Sequence, residues 1–355
     1  MNANHGTKRQ KFFLMTLLFL AGNGFPELLS EHAVYWSQEN GMMDLGTLGG
    51  TNSQAYGIND RSQVVGTSQT ASGDYHAFIW DIRNGMQDMG CFCGGSSLAM
   101  GVNNNGVVVG QAISGNTASS FMWTAEKGYS DLNIPGNWSW ASNINDKNEV
   151  VGSTSFSDHS SAYYYHKDLG FIELPSFGGH FYNYGNDINQ AGVIVGSATD
   201  EAESQHAFSW TVSGGLTALN DDGLIGSKAE GINDKGTIIG WGIGSSGPLY
   251  PTLLWTSDGD MKQLPIGGGE IRDIDNDGWI VGGGLWTPSL EGVQAPFDPY
   301  WHGINNKNEA VGWVIVSNVP EPSLFFLLGA GLAGLAGLRS IVRKKRPEPH
   351  ASIDG

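Results

Sequence analysis

Three observations make this sequence read as an all-β protein. Glycine supplies 53 of 355 residues, while charged residues make up only 15%. Glycine costs helix stability and serves turns and close backbone approaches. Twelve tryptophans recur with Val, Ile and Asn in short stretches, a composition of many brief strands. A ten-residue pattern, GINDRSQVVG at residues 57–66, returns along most of the chain.

At the amino end a basic stretch (Lys8, Arg9, Lys11) precedes apolar or near-apolar residues 12–21. That is the shape of a secretory signal peptide, too short to span a bilayer comfortably. Residues 1–24 are assigned to it.

The opening pattern recurs at residues 101–110 (GVNNNGVVVG), 143–152 (NINDKNEVVG), 187–196 (DINQAGVIVG), 231–240 (GINDKGTIIG), 273–282 (DIDNDGWIVG) and 303–312 (GINNKNEAVG). Successive copies stand 42 or 44 residues apart, except the last, at 30. Each reads as a hairpin: an apolar strand ending in Ile-Asn, a polar turn, and a Val/Ile return. A second hairpin alternates with it, clearest in HAVYWSQENGMMDLG and HAFIWDIRNGMQDMG. Trp36, Trp80, Trp123, Trp210, Trp255 and Trp286 share one slot in it, and His166 takes that slot in the remaining copy. Two hairpins give four strands per repeat, the length and count of a β-propeller blade. The array starts with a tryptophan hairpin and ends with an Ile-Asn hairpin. Pairing those two closes a seven-bladed propeller over residues 32–316 and removes two exposed edges. From each Val/Ile-Gly to the next tryptophan takes 13 to 15 residues, but from Gly282 to Trp286 only four. A broken blade or a site is expected there.

Leu45-Gly46-Thr47-Leu48-Gly49-Gly50, Gly57-Ile58-Asn59-Asp60 and His76-Ala77-Phe78-Ile79-Trp80 resemble the HAF repeat of bacterial extracellular proteins. The resemblance covers most of residues 32–316 and implies an exported location. It brings no established activity and no site residues.

At the carboxyl end, residues 324–338 carry no charge. Adding residues 339–342 gives nineteen, enough to cross a bilayer if Arg339 snorkels to the interface. Arg343, Lys344, Lys345 and Arg346 follow, and the positive-inside rule puts them in the cytoplasm. Residues 324–342 are therefore predicted as a transmembrane helix, 343–355 as a basic cytoplasmic tail, and 317–323 as a linker. Within the linker Pro320 and Pro322 flank Glu321, and proline keeps such a triplet extended. Pro320-Glu321-Pro322, the apolar stretch and the basic cluster resemble the PEP-CTERM sorting signal of Gram-negative bacteria, over residues 318–346. The resemblance implies an exosortase-type membrane protease as partner, cutting near the triplet. Pro320, Glu321 and Pro322 would be its recognition residues. It also implies a link to biofilm or exopolysaccharide systems. A second PEP at residues 347–349 lies past the basic run, on the predicted cytoplasmic side.

Net charge is −17, and eight of the 18 Lys and Arg lie in the two end segments. An acidic surface repels phosphate backbones, which argues against a nucleic-acid partner. Cys91 and Cys93 form a lone CxC pair, too few ligands for zinc, and read as idle thiols. Asp273, Asp275 and Asp277 start like a D-x-D-x-D-G calcium loop. The ninth and twelfth positions are Val281 and Gly284, however, so an ordinary turn is the leading reading and calcium the second. No other cofactor is indicated. His32, His76 and His206 occupy equivalent positions and are expected to hydrogen-bond a neighbouring turn. Trp138 and Trp140 break the tryptophan register. NWSW is placed in the connection between hairpins, where exposed rings suit sugar stacking.

No Ser-His-Asp spacing, phosphate loop or paired-carboxylate motif stands out. The expectation is an exported, non-enzymatic binding or structural protein of the envelope or extracellular matrix. It is transiently anchored by its carboxyl-terminal helix, with exopolysaccharide or envelope components as ligands. A secreted polysaccharide lyase or hydrolase using the central funnel, and a calcium-dependent adhesin, are the alternatives.

Overall fold

Each copy of the ten-residue pattern folds around one side chain. In the first, Asn59 Oδ1 accepts the backbone N–H groups of Arg61 at 3.0 Å and Gln63 at 2.9 Å. The Asn59 N–H donates to the Gln63 carbonyl, which closes the turn. Asn103, Asn145, Asn189, Asn233, Asp275 and Asn305 repeat both side-chain bonds at 2.8–3.1 Å. A short polar side chain thus does locally what a longer ladder would do, which is why Asn and Asp favour such turns. The turn also needs one left-handed residue, and Ser62, Asn148 and Asn308 (φ 60–61°) alternate there with glycines.

The structure is a computed structural model that describes residues 29–92, 94–244, 250–266, 271–295 and 298–317. The strands run in chain order. First come β1 (Leu29–Ser37) and β2 (Gly41–Asp44). The next four are β3 (Gly49–Ile58), β4 (Val64–Thr70), β5 (Tyr75–Asp81) and β6 (Gly85–Gly90). Then come β7 (Ser96–Val102), β8 (Val108–Ser114), β9 (Thr117–Thr124) and β10 (Gly128–Asp131). They are followed by β11 (Trp138–Ile144), β12 (Val150–Ser155), β13 (Ser160–His166) and β14 (Gly170–Glu173). Two further quartets are β15 (Tyr184–Ile188), β16 (Ile194–Thr199), β17 (Gln205–Thr211) and β18 (Gly215–Ala218), and β19 (Gly226–Ile232), β20 (Ile238–Ile243), β21 (Thr252–Trp255) and β22 (Met261–Leu264). Last are β23 (Ile271–Ile274), β24 (Ile280–Gly282) and β25 (Leu285–Trp286), then β26 (Tyr300–Ile304) and β27 (Ala310–Ser317). Sheets are antiparallel meanders, and one is ordered β2-β1-β27-β26, which sets the first and last of these strands side by side.

Neighbouring sheets pack face to face through apolar side chains. One cluster joins Ala33, Tyr35 and Leu45 to Ala55, Val64, Phe78 and Trp80 of the next sheet. Another joins Val195 and Ala207 to Ala229, Ile232, Leu253 and Trp255. The turns add a polar seam. The Nδ2 of Asn59 donates to the Asn103 carbonyl, and Asn103, Asn145, Asn189, Asn233 and Asn305 each donate likewise to the next turn at 2.9–3.1 Å. Beside it, seven backbone N–H bonds of 2.7–3.0 Å run from Asp60 through Asn104, Asp146, Gln190, Asp234, Asn276 and Asn306 back to Asp60. The Asn ladder breaks once, at Asp275, whose carboxylate has no N–H to give.

The predicted fold, a seven-bladed propeller closed by pairing of the first and last hairpins and followed by a carboxyl-terminal transmembrane helix, is corrected. The blades are propeller-like, but the described residues form six sheets, and these are not closed into a barrel. The parallel bridge of Trp138 to Ala118 merges two expected blades into one eight-stranded sheet. The sheet of β23, β24 and β25 has three strands, as the short connection at Gly282 leaves room for only a two-residue β25.

None of the described residues is helical, and no helix among them is long and apolar enough to cross a membrane. The transmembrane helix, and the transient anchoring that depended on it, are corrected accordingly. Residues 324–342, the predicted signal peptide (1–24), Pro320, Glu321, Pro322 and the basic tail (343–355) themselves lie outside the described residues. The tryptophan slot given to His166 is held by Tyr165, which pairs with Val150 as Trp80 pairs with Val64.

Candidate functional site

All seven first strands of the repeat slip register at the same place. In β3 Ala55 opposes Gly66 and Gly57 opposes Val65, so Tyr56 is left without a partner. The same slip isolates Met100, Ser142, Asn186, Glu230, Arg272 and His302. A bulge bends its strand and re-aims the extra side chain, and bulges concentrate beside functional sites. The bulge also explains the glycine of each Val/Ile-Gly: a Cβ on Gly66 would be driven into the carbonyl oxygen of Gln54.

The first strands touch in the order β3, β7, β11, β15, β19, β23, β26, and β26 touches β3. The seven bulge side chains, all half-buried, therefore share one mouth. Tyr56 meets His302 edge to face at 5.3 Å. Asn186 Nδ2 donates to the Ala229 carbonyl at 2.7 Å and to Glu230 Oε2 at 3.4 Å. Ser142 Oγ donates to the Gly185 carbonyl at 2.8 Å. One residue further in, the ring closes to a floor of Gly57, Gly101, Asn143, Asp187, Gly231, Asp273 and Gly303. A Cβ on Gly101 would sit 2.7 Å from Asn143 Oδ1, so glycine is needed at that position.

Two residues outward, aromatic rings and polar groups line the rim. Trp140 and Tyr184 lie 6.0 Å apart, and Lys228 Nζ sits 5.7 Å above the Tyr184 ring. Lys228 pairs with Glu230 at 3.1 Å, and Trp241 Nε1 donates to the same carboxylate at 2.9 Å. Trp241 meets Tyr250 edge to face at 5.6 Å, and Tyr300 stacks on Trp313 at 4.4 Å. Tyr56 Oη donates to Gln54 Oε1, and Gln54 Nε2 donates to Glu31 at 2.5 Å.

Burial, helped by the charge of Arg272, lowers His302 to about 3, so its ring is neutral. Burial raises Glu31 above the usual carboxylate range. The floor carboxylates are held by backbone. Asp187 accepts from Ile188 and Ile232, each at 2.8 Å, and from Asn143 Nδ2 at 2.5 Å. Asp273 accepts from Ile274 at 2.8 Å and Ile304 at 3.1 Å. Burial, then the charge of Asp187, pushes Asp273 up to about 8.

Of the residues singled out by sequence, Trp140 stands on the rim. NWSW is no connection: Trp138 and Trp140 belong to β11, a first strand of the repeat. Asp273, Asp275 and Asp277 are not drawn together around a point. Asp275 Oδ1 accepts from Asp277 and Trp279, and among the described residues no three His, Cys, Asp or Glu side chains gather to hold a metal ion. His32 bonds Asp44 at 2.7 Å, His76 bonds Asp88 at 2.9 Å, and His206 bonds Asp221 at 3.1 Å. The bulge ring was missed. Its signal is present, since the residue three before each turn's Asn or Asp, at positions 56, 100, 142, 186, 230, 272 and 302, is Tyr, Met, Ser, Asn, Glu, Arg or His, whereas the turn residue itself is Asn in six copies of seven.

Comparison with known proteins adds two findings. Residues 318–344 match the PEP-CTERM protein-sorting motif, consistent with exosortase-dependent surface or extracellular sorting. No curated protein matches the chain. Among solved structures, putative TolB from Agrobacterium tumefaciens is similar at TM-score 0.51 and 9% identity, over 81% of this chain and 99% of that one. Virginiamycin B lyase from Staphylococcus aureus is similar at TM-score 0.51 and 12% identity, over 81% and 100%. TolB from Acinetobacter baumannii has TM-score 0.48 and 12% identity, and the match spans 68% of this chain and 65% of that one. At such identities the likeness concerns fold alone.

Proposed function

We propose that this is an exported protein of the cell envelope or extracellular matrix that binds polysaccharide without cleaving it. Residues 1–24 act as its signal peptide. Residues 32–316 form an HAF-type repeat array, residues 317–323 are a linker, and an exosortase-type protease reads Pro320, Glu321 and Pro322. The observation that carries the binding role is the mouth, where seven bulges set varied side chains, six of them polar, beneath a rim holding Trp140, Tyr184, Trp241 and Tyr300. Sugars offer apolar C–H faces and hydroxyl edges. Aromatic faces beside convergent polar groups suit both.

The carboxylates there support binding rather than hydrolysis. Asp187 and Asp273 are tied to backbone N–H groups, and Glu230 is held by Lys228 and Trp241. General acid–base work needs a carboxyl group within reach of the substrate.

The test is affinity electrophoresis of the exported protein through gels cast with the host's exopolysaccharide. Retardation is expected. Replacing both Trp140 and Tyr184 by Ala should weaken it about thirtyfold, as each ring contributes roughly 1 kcal/mol. Unretarded migration, or release of new sugar ends during the run, would refute the proposal.

A further inference from the structure

Arg272 is the one bulge residue that carries a positive charge, and it sits between Glu230 and His302 in the order of the ring. Glu230 is already engaged by Lys228, Trp241 and Asn186. Asp273, its sequence neighbour, is spent on the N–H groups of Ile274 and Ile304. No ion pair to Arg272 exists among the described residues. Among the described residues no carboxylate pairs with this half-buried guanidinium, in a chain whose net charge is −17. Its neighbour His302 is neutral and packs against Tyr56, so it adds a ring face but no charge.

A guanidinium presents a planar fork that matches a carboxylate with two parallel bonds. We infer that Arg272 reads a carboxylate on the bound polysaccharide, which makes the mouth selective for uronate-containing chains over neutral ones. This rests on the carbohydrate reading above and narrows it to one sugar class. The rim rings hold any sugar chain, and the Arg272 fork selects among them.

The experiment measures binding of the exported protein to polygalacturonate, to a neutral β-glucan and to dextran sulfate. The buffer contains 0.15 M salt, where screening acts beyond about 8 Å and long-range repulsion from the acidic surface is reduced. Polygalacturonate should bind at least about tenfold more tightly than the neutral glucan, the scale of a charge-assisted bidentate contact. Arg272→Gln should remove that preference, lowering polygalacturonate affinity by at least about tenfold toward that of the neutral glucan. Arg272→Lys, which keeps the charge without the fork, should fall between. The urea midpoint of each variant checks folding, and if the Gln variant fails to fold, the Lys variant decides alone.

A polygalacturonate preference that survives both substitutions would overturn the inference. So would tighter binding of dextran sulfate, or equal binding of the neutral and acidic chains by the unaltered protein. Equal binding leaves the carbohydrate reading intact, whereas failure to bind any of the three removes both.

Discussion

Replacing Asp275 by Asn should stabilise the protein. At the equivalent slot, Asn103 Nδ2 donates to the Asn145 carbonyl at 2.9 Å and to Asn148 Oδ1 at 2.8 Å. Transposed to the seventh turn, those acceptors are the Asn305 carbonyl and Asn308 Oδ1. Asp275 Oδ2 and Asn308 Oδ1 are both buried without a hydrogen-bond partner. Acceptors therefore face acceptors at the one place where the ladder lacks its amide. Leaving a buried polar atom unsatisfied costs about 1–3 kcal/mol, and an ordinary hydrogen bond contributes about 1 kcal/mol. Asp275→Asn should thus gain about 1–3 kcal/mol at pH 7.5, read from urea unfolding.

The gain should depend on pH. Burial, with a smaller push from Asp277, raises Asp275 to about 6. The folded protein therefore holds this proton more tightly than the unfolded chain, whose aspartates titrate near about 3.9. The associated stability is complete below about 4 and is lost as pH rises through about 6. A protonated Asp275 has an O–H to donate, so the advantage of Asn should shrink at pH 4. A destabilised variant at pH 7.5, or an equal gain at both pH values, would refute the reasoning.

Three further outcomes follow from the same geometry. Gly66→Ala should destabilise by about 1–3 kcal/mol, read from the urea midpoint, because the new Cβ meets the Gln54 carbonyl opposite the bulge. Chelation with EDTA should leave Tm unchanged within about 1 °C, since the described carboxylates are not grouped for a metal ion, whereas a calcium-dependent adhesin would lose stability. NMR titration of the His302 ring should show no protonation between pH 8 and pH 4, because burial and Arg272 hold it at about 3.

The Asn turns were legible because their chemistry is local. Asn59, its left-handed partner Ser62 and the returning Val64 stand within a few residues of one another. What failed was decided at longer range. Counting placed His166 in the tryptophan slot, but pairing with Val150 selects Tyr165. The merger of two blades hangs on a single bridge between Trp138 and Ala118, which leaves no mark on local pattern. NWSW read as a connection because its polar and aromatic residues lack the apolar alternation of a core strand. Trp140 stands on the rim of the mouth instead. The mouth itself was hidden because each repeat gives it one bulge residue, 30 to 44 positions from the next.

The central claim is that this mouth receives a polysaccharide. Hydroxyl-radical footprinting of the exported protein, with oxidation mapped by mass spectrometry, tests it directly. Adding the bound polysaccharide should protect Trp140, Tyr184, Tyr250 and Tyr300, and should leave exposed residues remote from the mouth, such as Ile82 and Leu169, oxidised as before. Protection confined to those remote residues, with the rim rings still oxidised, would contradict it.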